Sequence, residues 1–445
     1  SSEMRLTASA AISDLAASAR TNFHHLKPIK PLPARKSEDK VPLIDCFTAP
    51  CKGGCPIAQD IPEYMELCNK GLYGPALKLI TEKNPLPFIT GTICAHRCQS
   101  KCSRNFYEES VRIRDTKLLA AQKGYNALMA SVKAPAKVAG KKVAIIGGGP
   151  TGIAAAYFCG RAGIETTIFE RESCLGGVPR HVIPAFRIAN EAIEKDVALM
   201  EKYGVEVKCG APAPSVDELK KMGYTHILLA VGAWKPGKLD IAGDVAGAIQ
   251  WMKGVKAGNI GVAGNIAVIG GGNTAMDSVR TARRLGAERA MIIYRRSEEE
   301  MPARIEEVKH AKEEGIEFLT LHNPIEYLAD EQGRVKQVIL QKMELGEPDA
   351  SGRRSPVPIP GATETVDIDL AIVSVGVSPN PIVPSSIKGL ELGRKGTITV
   401  NDQMQSSIPT IYAGGDIVRG GATVILAMGD GRRAAAAMNE QLSSK

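Results

Sequence analysis

With 445 residues, 44% of them hydrophobic and 23% charged, the chain has room for two to four globular domains, each with a core of its own. The formal net charge of +8 is scattered along the sequence, so composition makes no case for a nucleic-acid binder. No stretch reaches the ~18 apolar residues of a membrane helix and no leader-like segment opens the chain, so a cytoplasmic location is expected.

The first residue is Ser1 and the first methionine Met4, as expected of a trimmed chain or a piece of a longer polypeptide. Residues 1–45 contain the basic, proline-rich stretch Lys27-Pro28-Ile29-Lys30-Pro31-Leu32-Pro33, which is expected to lie extended on the surface. Ten cysteines in a cytoplasmic chain argue for metal or redox chemistry before structural disulfides. Six of them form two groups, Cys46-x4-Cys51-x3-Cys55-Pro56 and Cys94-x3-Cys98-x3-Cys102. A proline after the last cysteine of a close run is a ferredoxin-like pattern, and thiolates on short loops can wrap an iron–sulfur cubane. The absence of a CxxC pair disfavours structural zinc. Cys68, Cys159, Cys174 and Cys209 stand alone and read as core or surface thiols. From Ile61 to Met129 the spacing is helical, with a break at Pro85-Leu86-Pro87. A helical domain over residues 1–135 is therefore predicted, ending in the linker Lys133-Ala134-Pro135-Ala136-Lys137.

The pattern then changes. The apolar run Val143-Ala144-Ile145-Ile146 leads into Gly147-x-Gly149-x-x-Gly152, and a second run, Thr166 to Phe169, ends at Glu170. Such glycines let a backbone approach a pyrophosphate at a helix N-terminus, and a carboxylate at the end of the second strand accepts from a free ribose 2′-hydroxyl, as in an FAD-like site. A second fingerprint, Gly270-x-Gly272-x-x-Ala275, follows Ile266 to Ile269 and leads to Arg295-Arg296. Arginines there welcome a 2′-phosphate, so this site reads as NADPH-like. The plainer alternative is a solvated face whose arginines pair with Glu298-Glu299-Glu300. Buried strands also end at Val231-Gly232 and Gly376, and the chain closes with Ile411-Tyr412-Ala413-Gly414-Gly415-Asp416. The predicted fold is α/β with two Rossmann-like domains. An NADPH-binding domain over 265–365 is inserted into an FAD-binding domain made of 136–264 and 366–445, with the chain crossing back near residue 366. No CxxC follows either fingerprint, which removes electron transfer to an internal disulfide, and no acid–base set marks a second reaction, so no catalytic residue is assigned.

These landmarks resemble, over about residues 40 to 440, the NADPH/FAD iron–sulfur electron-input flavoproteins. That family includes the glutamate synthase small subunit, the amino-terminal half of dihydropyrimidine dehydrogenase and a flavoprotein subunit associated with selenate reduction. Ile89-Thr90-Gly91-Thr92-Ile93-Cys94 and Asn273-Thr274-Ala275-Met276-Asp277 look most like the last of these. The resemblance implies that NADPH reduces FAD and that electrons leave singly through [4Fe-4S] clusters in the helical domain towards a separate catalytic subunit or domain. It places Gly147, Gly149, Pro150 and Gly152 at the FAD pyrophosphate, and Glu170 with Arg171 at the adenosine ribose. Gly176, Gly177 and Arg187 fall along the flavin, with Val231, Gly232 and Gly376 at the strand ends beside the nucleotides. Gly415 and Asp416 fall at the ribityl and phosphate region, and Thr423-Val424 open a helix facing the isoalloxazine ring. For Asp416 the plainer alternative is a helix N-cap near Gly420. The NADPH set is Gly270, Gly272, Asn273, Thr274, Arg295 and Arg296. Carried over, Cys46, Cys51 and Cys102 share one cluster, and Cys55, Cys94 and Cys98 the other. Here the sequence departs from the family: Leu43 stands where another cysteine is expected, and Lys117 stands at the non-cysteine fourth ligand. Asp45, His96 or Asp115 could substitute, the six cysteines could regroup around one cluster, or one cluster could be missing. Two rival functions remain at this point: a self-contained oxidoreductase reducing a small substrate at the flavin, and a nucleotide-binding scaffold without turnover.

Overall fold

The computed structural model describes residues 48–443 except 107, 244, 263 and 351, so Cys46, Leu43, Asp45 and the proline-rich stretch lie outside the described residues. The chain divides into two units between Val132 and Lys133.

The first unit is helical. In chain order its elements are α1 (Pro50–Gly54), α2 (Ile61–Asn69), α3 (Tyr73–Thr81), α4 (Pro87–Ile93), α5 (Arg97–Ser100), a 3-10 turn Ser103–Phe106 and α6 (Ile113–Ser131). Proline opens α4 at a first-turn position, where its missing N–H costs nothing, so the predicted break at Pro85–Pro87 is a helix boundary. The apolar stripes of α2, α3 and α6 meet in a core of Ile61, Tyr64, Ala76, Ile80, Ile113 and Ala120. Close packing depends on Gly124 of α6, where a Cβ would stand 2.4 Å from the Tyr73 carbonyl oxygen.

The second unit is built on parallel sheets. Its first part runs β1 (Lys142–Ile146), α7 (Pro150–Arg161), β2 (Glu165–Glu170), α8 (Gly177–His181), α9 (Asn190–Glu201), β3 (Glu206–Cys209), α10 (Val216–Lys221) and β4 (His226–Leu229). Short strands β5 (Lys235–Pro236) and β6 (Ala246–Gly247) lead to α11 (Ala248–Lys256), β7 (Asn265–Ile269), α12 (Asn273–Arg284), β8 (Arg289–Tyr294), α13 (Ile305–Glu313) and β9 (Glu317–Thr320). Then come β10 (His322–Ala329), β11 (Val335–Pro348), β12 (Arg354–Asp367), β13 (Leu370–Val373) and β14 (Val377–Ser378). The chain ends with α14 (Ile382–Ser386), β15 (Ile411–Ala413), α15 (Asp416–Arg419) and α16 (Val424–Ser443).

Two five-stranded parallel sheets result, in the orders β15-β4-β1-β2-β3 and β6-β13-β7-β8-β9, beside an antiparallel sheet β10-β11-β12 and a small ribbon β14-β5. The continuous apolar strands suit sheets covered on both faces. Along β7, Ile266 and Val268 enter one core with Met276 and Val279 of α12, while Ala267 and Ile269 enter another with Val338 and Leu340 of β11. Two Rossmann-type halves, the second inserted into the first, match the α/β expectation, with two corrections: Ala246–Gly247 and α11, expected in the 136–264 part of the first domain, join the second sheet and its core, and the return point also shifts. The run Leu370–Val373 was expected in the returning part of the first domain, but it pairs with β7 in the second sheet. The crossing back therefore lies after Val373 and not near 366. A buried parallel strand reads the same in either sheet, so its local sequence carries no sign of its partner.

Candidate functional site

Each glycine fingerprint sits between a strand and a helix. At the first, Gly147 has φ 108° and a Cβ there would meet the Ala230 carbonyl oxygen at 2.4 Å; at Gly152 it would meet the Gly147 oxygen at 2.0 Å. These two glycines allow the turn and bring α7 against β1. Gly149 differs: its nearest obstacle would be Gly177 Cα at 3.9 Å, so its face is open. It is the N-cap of α7, with Pro150 at the first helical position.

Above this turn lies a cavity of about 600 Å³. Gly147, Gly149, Pro150, Glu170, Arg171 and Gly177 line one part of it; Val231, Gly232, Asp416, Thr423 and Val424 line another. Glu170 is buried, with Oε2 accepting from the Gly148 N–H at 2.6 Å and Oε1 from the Glu172 N–H at 2.9 Å. Asp416 opens α15, and its Oδ1 accepts from the Ala422 N–H at 2.9 Å, while burial raises its carboxyl above the usual range. Thr423 precedes the long helix α16, and its Oγ1 is buried without a partner. Thr423 and Val424 line the cavity, so the helix presents its N-terminus and a local positive potential to it. Gly415 has φ 78° and donates its N–H to Asp430 Oδ2 at 3.0 Å; Gly176, at φ 130°, turns the chain into α8.

Sequence reasoning missed three parts of this wall. Trp234 lines the cavity and donates its Nε1 hydrogen to the Val231 oxygen at 3.1 Å, with the Arg171 guanidinium 5.6 Å from its ring centre. Its place two residues after a strand-ending glycine was the available signal. Ala213 to Val216, including the Ser215 capping box of α10, and Ile382 and Val383 of α14 close the other side and carried no nucleotide-binding motif. Arg187 does not line the cavity. Its Nη1 pairs with Asp277 of α12 and with Glu307 of α13 at 3.0 Å, and the neighbouring Phe186 ring lies under Arg280 and Arg284, at 4.8 and 4.1 Å. Burial above all, with Glu307 adding and Arg187 opposing, pushes the Asp277 carboxyl up to about 6.

The second fingerprint repeats the first. Gly270 has φ 142° and a Cβ there would strike the Ser374 oxygen at 2.3 Å, while Gly272, the N-cap of α12, faces open space. Asn273 Oδ1 accepts from the Arg304 N–H at 3.0 Å, and Thr274 begins the same helix turn. Arg295 and Arg296 follow β8; the first is exposed and the second is buried. Gly376, at φ 100°, accepts at its carbonyl from the Gly237 N–H, between the two sheets' connecting strands.

In the helical unit, Cys51 lies on α1, Cys55 follows it, Cys94 follows α4, Cys98 lies on α5 and Cys102 follows that helix. All five are free thiols. Burial, with Cys94 and Cys55 adding and Lys117 opposing, pushes Cys98 up to about 11; burial also raises Cys51, with Cys102 adding. Cys98 thus has Cys55 and Cys94 as electrostatic neighbours, and Cys51 has Cys102. Among the described residues, no three His, Cys, Asp or Glu side chains converge tightly enough for a single metal ion. A four-iron cube spaces its thiolates more widely than one ion does. Lys117 is buried near Cys98, whereas the Asp115 side chain is 57% exposed beside Arg114.

Among the described residues, no helix is long and apolar enough to cross a membrane. Residues 141–431 match the family described as pyridine nucleotide-disulphide oxidoreductase, and residues 36–127 match dihydropyrimidine dehydrogenase domain II, 4Fe-4S cluster. The small chain of glutamate synthase [NADPH] from Escherichia coli (strain K12) is 31% identical over 416 residues, 88% of this chain and 88% of that one. The protein YgfK of the same strain is 38% identical over 94% of this chain, which spans only 41% of YgfK's length. FprA of Mycobacterium tuberculosis, solved in complex with NADPH, is similar in fold: TM-score 0.58 at 18% identity, covering 68% of this chain and 85% of FprA. Paired glycine turns on two parallel sheets, behind a helical unit bearing the cysteine groups, are thus the plan of a known lineage, and the chain belongs to the pyridine nucleotide-disulphide oxidoreductase family, in the branch fronted by a dihydropyrimidine dehydrogenase-type 4Fe-4S domain.

Proposed function

We propose that the chain is an electron-input flavoprotein: NADPH bound at the second fingerprint reduces FAD held in the cavity, and electrons leave through iron–sulfur ligation at the cysteine groups to a catalytic partner subunit or domain. The observation that carries the reading is the coexistence in one chain of an open glycine turn under a cavity of about 600 Å³, a second such turn followed by arginines, and the two sequence groups of free cysteines in the helical unit. The first site fits a flavin dinucleotide. Gly149 leaves room for a pyrophosphate against α7, Glu170 stands at the end of β2 for a ribose, and Thr423 Oγ1 is a buried polar atom in want of a partner.

Bound flavin would supply the exchange of one hydride for two single electrons. The chain's own residues then bind and orient. The α16 N-terminus offers N–H groups and positive potential to the ring, the glycine turns hold pyrophosphates, and Arg295 and Arg296 select a 2′-phosphate. Cys51 with Cys102, and Cys55 with Cys94 and Cys98, are the proposed cluster ligands, Cys46 being the sixth. The relative's name supports the nucleotide choice, and a cytoplasmic setting is consistent with it. Anaerobic mixing with NADPH is expected to bleach a bound flavin that stays reduced until an acceptor protein is added. A flavin that NADPH leaves oxidised would overturn the proposal, and free re-oxidation by a small substrate would point to a self-contained reductase.

A further inference from the structure

Arg296, just past β8, is only 5% exposed, and its Nη2 is held by Asp349 Oδ2 at 2.6 Å. The carboxylate comes from the turn between β11 and β12, where the Asp349 N–H donates to the Arg353 oxygen at 2.8 Å. This long hairpin is fastened across the segment after β8 at further points. Arg354, the first residue of β12, donates from Nε to Glu300 Oε1 at 2.9 Å. The Leu321 N–H donates to the Arg296 oxygen at 3.0 Å, and the Met343 N–H to the Leu321 oxygen at 2.8 Å. Arg296 Nε remains buried without a partner, and Arg295 is exposed. The arginine best placed by burial to discriminate an anion is therefore already occupied by one.

We propose that Asp349 is a specificity-determining residue of the second nucleotide site: its carboxylate takes the anion position of Arg296, so a ribose 2′-phosphate must compete with it for a buried guanidinium. This rests on the reading of Arg295 and Arg296 as the 2′-phosphate readers. A buried charge robbed of its partner is costly, and a dianionic phosphate relieves that cost better than water does. Removing Asp349 should therefore raise affinity for the phosphorylated nucleotide alone. A hairpin pin with no role in binding would leave nucleotide preference untouched.

The test uses the full chain with its cofactors and titrates adenosine 2′,5′-bisphosphate and 5′-AMP calorimetrically. Asp349→Ala is expected to bind the bisphosphate at least about fivefold more tightly with 5′-AMP unchanged. Asp349→Glu, which keeps the charge, should return the ratio to within about twofold of wild type. If the alanine variant does not fold, Asp349→Asn keeps the oxygen that accepts from the Arg353 N–H at 3.4 Å and takes its place. Unchanged or weaker bisphosphate binding, or an equal shift for both ligands, overturns the proposal. A parallel Arg295→Ala/Arg296→Ala variant separates the failures. If it leaves the preference for bisphosphate over AMP intact, the phosphate reading falls and the Asp349 role with it; if it abolishes that preference while the Asp349 variants shift nothing, only the Asp349 role falls.

Discussion

A methyl group at Gly152 would lie 2.0 Å from the Gly147 carbonyl oxygen, whereas one at Gly149 would meet nothing nearer than 3.9 Å. The two fingerprint glycines therefore fail differently when substituted. Gly152→Ala is expected to lower thermal stability of the nucleotide-free protein by about 1–3 kcal/mol or more, because α7 must move away from its strand. Gly149→Val should leave that stability nearly intact and yield protein purified without flavin, the side chain standing in the pyrophosphate path. Melting curves with flavin absorbance separate the two; a yellow Gly149→Val protein of normal stoichiometry refutes the site. The motif fixed where the turn lies. It could not say which glycine faces a ligand and which faces the fold, since that depends on Ala230 and Gly177, brought close only by tertiary structure. Arg187 teaches the same lesson: its sequence neighbourhood looks like a flavin wall, but its guanidinium meets two carboxylates on distant helices.

Those helices make the next scale of argument. The segment before α9 docks on α12 and α13 through Arg187, Asp277, Glu307 and Arg280, all largely buried. Asp277 is raised to about 6 from an ordinary 3.8, so the folded protein holds this proton more tightly than the unfolded chain does. Its contribution favours folding below about pH 4 and is lost as pH rises towards about 6, on the order of 1–3 kcal/mol. Asp277→Asn should remove this dependence: the melting temperature of wild type relative to the variant should fall between pH 4.5 and 7. A constant difference across that range would place the proton elsewhere. At this scale the buried parallel strands β1, β2, β4, β7, β13 and β15 were legible to within about three residues, because continuous apolar runs bounded by glycine mark buried strands, whereas the half-exposed edge strands β3 and β9 gave no such run. The hairpin β11–β12 was not. Its strands carry exposed charge and two register shifts, at Gln341/Met343 and Leu345/Pro348, and no short-range pattern encodes pairing with such irregularities.

For the whole molecule, the two units imply separable steps. Cys51→Ala, prepared anaerobically, should lose iron and sulfide from a full complement of about four to eight irons per chain. Reduction of flavin by NADPH should continue at the wild-type rate while delivery to an acceptor protein stops. Iron analysis beside stopped-flow absorbance reads both, and a parallel loss of flavin reduction would mean that the units do not work in series. Within the second unit, the polypeptide passes from one parallel sheet to the other at Lys235–Pro236 and returns at Val377–Ser378, and these two passages are hydrogen-bonded to each other as an antiparallel ribbon. The outgoing and returning passages are thus tied to each other, so the second sheet is joined to the first through one paired neck and not through two independent linkers. The Arg187 contacts with Asp277 of α12 and Glu307 of α13 fasten the same two halves at a second place, so a neck of two strands and a cluster of buried charges share the task of holding one sheet to the other.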